Sequence, residues 1–133
     1  MKTYVLDTTV LMDNPRIIRN LKDSRVVIPL SVIKQLDGLK NSKDKEKARK
    51  ARRASRVIDE IGEKGDISYG VKVNSGSTIV QVYPRYDRVN GLDSQTDNRI
   101  VGAAARLKRE YKEQVALLTT DVNMRNVARA YQV

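Results

Sequence analysis

The chain contains no cysteine and no histidine among its 133 residues. Without cysteine there are no disulfides, no thiolate zinc sites and no thiol nucleophiles. Without histidine the commonest general base is missing, and every Ser-His triad with it. Phenylalanine and tryptophan are absent too, and six tyrosines supply all the aromatic surface, so strong sequence reading by base stacking is not expected. No apolar run approaches the roughly 18–20 residues that span a bilayer, and the amino terminus lacks a signal-peptide pattern. These features predict a soluble cytoplasmic protein with no membrane partner. Any chemistry must come from carboxylates, hydroxyls, amides or lysines.

What the chain does have is positive charge. The net charge is +10, large for one domain of this length, and it suggests a polyanionic partner. The excess is concentrated. Between Lys40 and Arg56 lie nine basic residues (Lys40, Lys43, Lys45, Lys47, Arg49, Lys50, Arg52, Arg53 and Arg56) against Asp44 and Glu46, a net +7. A solvated helix face is the plain alternative, but so one-sided a segment repels itself unless an anion meets it, and a phosphate-binding surface is the reading favoured here.

Short apolar runs alternate with helical patterns. Thr3–Leu6, Arg25–Pro29 and Val115–Leu118 read as buried strands. Tyr69–Val73 and Thr78–Tyr83 read as a hairpin around Asn74-Ser75-Gly76-Ser77. Pro15 is placed to begin a helix capped by Asn14, and Ser31 to cap a helix carrying Val32, Ile33, Leu36 and Leu39. A long helix is predicted from about Asp44 to Ile61, with Ala48, Ala51, Ala54 or Ser55, Ile58 and Ile61 on its packing side. Arg85–Thr96 is polar and reads as a loop, after which Asp97 starts a helix with Ile100, Val101, Ala104, Leu107 and Tyr111 at helical spacing. Val122–Tyr131 is a last short helix. Such alternation predicts an α/β fold with a mainly parallel sheet, in one domain over residues 1–133.

Two acids stand just beyond predicted strands, Asp7 after Tyr4-Val5-Leu6 and Asp121 after Leu118-Thr119-Thr120, and Asp97 opens a helix. Ligand sites in such sheets lie outside the carboxyl ends of the strands, so the three can meet. Carboxylates brought together repel unless cations or raised pKa values relieve them. An oxygen-only set selects hard ions such as Mg²⁺ or Mn²⁺. Beside a +7 surface this fits metal-assisted phosphodiester hydrolysis, with Thr8, Thr9, Thr120 and Asn123 orienting ligands or water. Each acid also has a purely structural role open to it, Asp7 and Asp97 as helix caps and Asp121 in an Asx-turn.

The local sequences are more specific. Tyr4-Val5-Leu6-Asp7-Thr8-Thr9-Val10-Leu11-Met12-Asp13-Asn14-Pro15 resembles the opening of a PIN domain, in the form that precedes PhoH-like ATPases. Ile28-Pro29-Leu30-Ser31-Val32-Ile33-Lys34-Gln35-Leu36-Asp37 is similar to the second PIN motif, and Ala51–Glu60 to the arginine-containing helix of that subfamily. Asp97-Asn98-Arg99-Ile100 and Thr120-Asp121-Val122-Asn123-Met124-Arg125 resemble the third and fourth motifs. The resemblance implies a three-layer α/β/α fold and an acidic pocket for Mg²⁺ or Mn²⁺ built on Asp7, Asp97 and Asp121. It further implies endonucleolytic cleavage of single-stranded RNA, guided by Lys43, Lys45, Lys47, Arg49, Lys50, Arg52, Arg53 and Arg56. The partners it implies are a second copy of the chain, an antitoxin, or a fused PhoH-like ATPase. No G-x-x-x-x-G-K-[ST] pattern occurs, so the chain carries no such ATPase of its own, and the sequence fits either an excised or a stand-alone PIN domain.

One position departs from the pattern. The second motif normally carries a glutamate where this chain has Gln35, whose amide brings no charge and cannot act as a base. Asp37, about 200° further round the same helix, should face away. Three readings follow: a metal-dependent endoribonuclease, a weakened or inactive PIN domain that binds RNA, and an interaction module for an acidic protein. A phospho-acceptor signalling domain lacks its acceptor and lysine here.

Overall fold

The apolar runs form a five-stranded sheet in the order β3-β4-β2-β1-β5, seen in a computed structural model that describes residues 1–112 and 114–133. The strands are β1 (Lys2–Leu6), β2 (Ser24–Pro29), β3 (Val71–Val73), β4 (Thr78–Tyr83) and β5 (Val115–Leu118). All pairings are parallel except the β3–β4 hairpin. Val5, Leu6, Val26, Val27, Ile28 and Val80 are fully buried, as strands covered on both faces should be. Helices flank the sheet, so the α/β expectation holds.

The helices are α1 (Thr8–Asp13), α2 (Ile17–Asn20), α3 (Leu30–Leu39), α4 (Lys45–Gly62), α5 (Gln95–Tyr111) and α6 (Val122–Ala130). In α4, Asp44 accepts hydrogen bonds from the main-chain N–H groups of Glu46 and Lys47 at 3.0 and 3.2 Å, which satisfies two otherwise orphan donors. Ala48, Ala51, Ala54, Ile58 and Ile61 face inward, and the small alanines let α4 lie close against α1 and α3.

Several local expectations need correction. The first helix begins at Thr8, directly after Asp7; the helix expected from Pro15 is the short α2, which starts at Ile17. Asn14 ends that helix, its N–H bonded to Val10 O at 3.0 Å, because a residue before proline disfavours the helical backbone. Ser31 does not cap α3. The helix starts at Leu30 straight from Pro29, which offers no side-chain cap, and the Ser31 hydroxyl is buried without a hydrogen-bond partner among the described residues. The cap of α5 is Ser94, whose hydroxyl accepts from the Asp97 N–H at 3.4 Å. Asp97 therefore lies in the first turn, and Gln95 and Thr96 are helical. The β3 strand is shorter than predicted, since Tyr69 is exposed and Gly70 has φ +124°. No helix among the described residues is long and apolar enough to cross a membrane.

Strand order positions the site. From β1 the chain builds outward through β2 to β4, then returns to add β5 on the other side of β1. The order thus reverses between β1 and β5, and the crevice beyond their carboxyl ends is where such sheets bind ligands. Asp7 and Asp121 follow those two strands.

Candidate active site

Parallel register sets the geometry at this crevice. Leu6 pairs with Leu118, and the Asp7 N–H continues the ladder to Leu118 O at 3.0 Å. Asp7 is 3% exposed and well held. Its Oδ1 accepts from the Thr8 N–H at 2.6 Å, and its Oδ2 from the hydroxyls of Thr9 at 3.1 Å and Thr119 at 2.6 Å. Three of its roughly four acceptor sites are taken, so Asp7 caps α1 with its carboxylate fixed in orientation and some acceptor capacity to spare. Asp121 caps α6 through Oδ1 alone, accepting from the N–H groups of Asn123 at 2.9 Å and Met124 at 3.2 Å. No described donor reaches its Oδ2, and none reaches either oxygen of Asp97.

These three acids line one cleft of about 270 Å³ together with Thr8, Thr9, Gln35 and Lys47. Partial burial, then the negative charges of Asp7 and Asp121, raise the pKa of Asp97 above the ordinary carboxylate value. Among the described residues no three acids stand close enough together to form a ready metal-binding group. The donor set fits a hard divalent ion all the same: it is all oxygen, carries three formal negative charges, and leaves Asp97 and Asp121 with uncommitted oxygens.

Gln35 stands on the cleft wall. Its Oε1 accepts the Thr8 hydroxyl at 2.5 Å, a separation that suits O–H···O and is too short for N–H···O. The carbonyl oxygen keeps one further lone pair, and the amide NH₂ is a donor. Asp37 is exposed on the other side of α3, 3.6 Å from Lys40.

Comparison with known proteins now decides the family. A profile of the PIN domain family matches residues 4–133. The chain belongs to the PIN domain family. Its members are generally metal-dependent nucleases. The PIN chain is also 34% identical over 138 residues to Protein PhoH2 of Bacillus subtilis (strain 168), a match that takes in 97% of this chain and 31% of that protein. The chain thus spans about a third of the length of that curated relative. In fold it is similar to a domain of a functionally unknown protein from Methanocaldococcus jannaschii, with a TM-score of 0.60 at 22% identity, covering 99% of this chain and 86% of that one.

Thr119 is a residue of this PIN site that sequence reasoning missed. Its hydroxyl donates to Asp7 and accepts from the Asp121 N–H at 3.0 Å, tying the two acids together. The signal was available in principle: once β1 and β5 are paired, the residue after Leu118 falls beside the residue after Leu6. Thr120 acts one step further out, its hydroxyl 3.1 Å from that of Thr9. Asn123 touches Asp121 through its main chain rather than its side-chain amide.

The basic segment divides in two. Arg49 is paired with Glu46 at 2.5 Å and Lys50 with Asp13 at 3.6 Å. Arg52 donates to Lys40 O, and Arg53 to Met12 O and Asp13 O. These four tie α4 to itself and to its neighbours. Lys43, Lys45, Lys47 and Arg56 have no acidic partner among the described residues, and Lys47 is the one that reaches the acidic cleft.

Proposed function

We propose that this PIN domain is a metal-dependent endoribonuclease that hydrolyses phosphodiester bonds in single-stranded RNA, with Asp7, Asp97 and Asp121 holding Mg²⁺ or Mn²⁺. The observation that carries this reading is that three carboxylates line one cleft at the switch point of the sheet, two of them with uncommitted oxygens. A divalent ion bound there supplies an acidified water and neutralises charge on the scissile phosphate. The chain's own residues prepare that chemistry. Thr8, Thr9 and Thr119 fix the Asp7 carboxylate. Lys47, on the rim of an otherwise acidic cleft, meets a phosphate that enters it, and Lys43, Lys45 and Arg56 attract the backbone. The whole chain acts as one PIN unit in the cytoplasm. Its likeness to Protein PhoH2 favours a setting beside a PhoH-like ATPase over one beside an antitoxin or a second copy of itself.

Gln35 supports a second reading, an RNA-binding domain that cuts weakly. It adds no charge to the cluster, so three acids carry all of the negative charge and the ion binds more weakly than with four. Cleavage of an unstructured RNA under Mn²⁺ titration tests both. Asp7→Asn is expected to lower kcat/KM by more than the roughly 10–100-fold typical of an outer-shell partner, and Gln35→Glu to lower the Mn²⁺ concentration required. Mn²⁺-dependent cleavage that survives Asp7→Asn would overturn the nuclease site. Equal metal requirement with Gln35 and Glu would overturn the role given to the amide.

A further inference from the structure

A second pocket opens along the same sheet edge, beyond the carboxyl ends of β2 and β4. It has a volume of about 110 Å³ and is lined by Ser31, Lys34, Tyr83, Arg85, Tyr86 and Arg99 among others, with no aspartate or glutamate in its wall. At about 30 Å³ per water, that is room for three or four waters, or one tetrahedral oxyanion.

Several of its donors are unspent, although the Tyr83 hydroxyl donates to Glu110 at 2.9 Å. The Ser31 hydroxyl is buried with no hydrogen-bond partner among the described residues, an arrangement that costs free energy unless a ligand or water completes it. Lys34 has no acidic partner among them. Arg99 is held over the Tyr86 ring at 5.3 Å, which positions a guanidinium without neutralising it. Arg85 is only loosely paired, 3.5 Å from Glu110. The pocket also sits at the first turn of α3, where Pro29 provides no side-chain cap.

We propose that this pocket binds a backbone phosphate of the RNA adjacent to the scissile one. The proposal rests on the nuclease reading for its substrate. Its location supports it. Arg99 lies two residues from Asp97 on α5, and Lys34 precedes Gln35 on α3. Neighbouring strands are about 5 Å apart, so the pocket lies about 5–10 Å along the edge from Asp7, on the scale of one nucleotide step. With a phosphate fixed at each site, the strand crosses the sheet edge in one register, and the pocket sets which bond is presented.

Binding of a labelled ten-nucleotide RNA in EDTA tests the pocket independently of cleavage. Lys34→Ala and Arg99→Ala are each expected to weaken binding about tenfold at low salt and to lower the slope of log K against log salt by about 0.7 per lost contact. Neutral methylphosphonate linkages, placed one at a time, should weaken wild-type binding most at one position, and that penalty should vanish in Arg99→Ala. Should Arg99→Ala fail to fold, the exposed Lys34 gives the same comparison. A linkage penalty that persists unchanged in the variants overturns the proposal. So does a pocket that takes inorganic phosphate, followed by the Ser31 and Lys34 amide signals, while RNA binding ignores both substitutions. Failure of the nuclease reading shows separately, as binding intact in these assays with no Mn²⁺-dependent cleavage.

Discussion

At Asp97 the carboxylate accepts no hydrogen bond from a described residue, is partly desolvated, and faces Asp7 and Asp121, so its pKa rises. A carboxyl whose folded pKa exceeds its unfolded value destabilises the fold when ionised. That cost is absent below the unfolded pKa of about 3.8, grows as pH rises through the folded value, and is then constant. Asp97→Asn is therefore expected to raise the melting temperature of the metal-free protein at pH 7, with the gain fading toward pH 3.5. Mn²⁺ should stabilise the wild type and have much less effect on the variant, since only a bound ion shifts the equilibrium. Thermal melts across pH, with and without Mn²⁺, check both signs. An Asp97→Asn protein less stable than wild type in EDTA would mean that the carboxylate is structural. Asp7 differs because capping and site geometry coincide there, with the N–H of Thr8 and two threonine hydroxyls on one side chain.

The element that holds Asp97 in place is α5, and its seating depends on Gly102. A Cβ at this position would lie 2.1 Å from the Asp87 carbonyl oxygen, where the Asp87 N–H bonds back to Gly102 O at 2.9 Å. The irregular segment before α5 thus packs main chain to main chain on the helix, and Arg109 fastens it through a two-point contact with Asp87 at 2.9 and 2.6 Å. Gly102→Ala is expected to destabilise by about 1–3 kcal/mol, the usual cost of forcing atoms into a filled space, measured by urea denaturation. Wild-type stability in that variant would contradict the close packing. In α4 the extent from about Asp44 to Ile61 and the alanine face were legible from sequence, because the periodicity is regular; the capping role of Asp44 came only with the structure. The start of α1 was legible only as the structural alternative for Asp7, a helix cap, because Pro15 marked the more obvious helix start, where the short α2 follows.

For the whole molecule, charge and topology act together. On the proposed reading the +10 chain draws RNA to the domain, and the sheet edge offers it the acidic cleft with Lys47 and the basic pocket. Only cations not already committed should add to binding. Lys47→Ala is expected to lower the salt slope of RNA binding by about 0.7, the single-strand value per phosphate. Arg49→Ala, whose partner is Glu46, should leave it nearly unchanged. Equal effects would show that the ion pair opens on binding and that the two basic sets act as one surface.

The sequence by itself determined the alternation of strands and helices, the long basic helix, the acids at strand ends and the missing fourth carboxylate, since each is written in local pattern and composition. Only the tertiary structure decided which of these meet. The order β3-β4-β2-β1-β5 puts the ends of β1 and β5 side by side, bringing Asp7 within reach of Thr119 across 112 positions, and puts Ser31 and Lys34 beside Arg85 and Arg99. Local propensity carries no information about strand order. That order follows from which apolar faces bury one another, and with it comes the division of the basic residues into those that hold the fold and those left to meet a ligand.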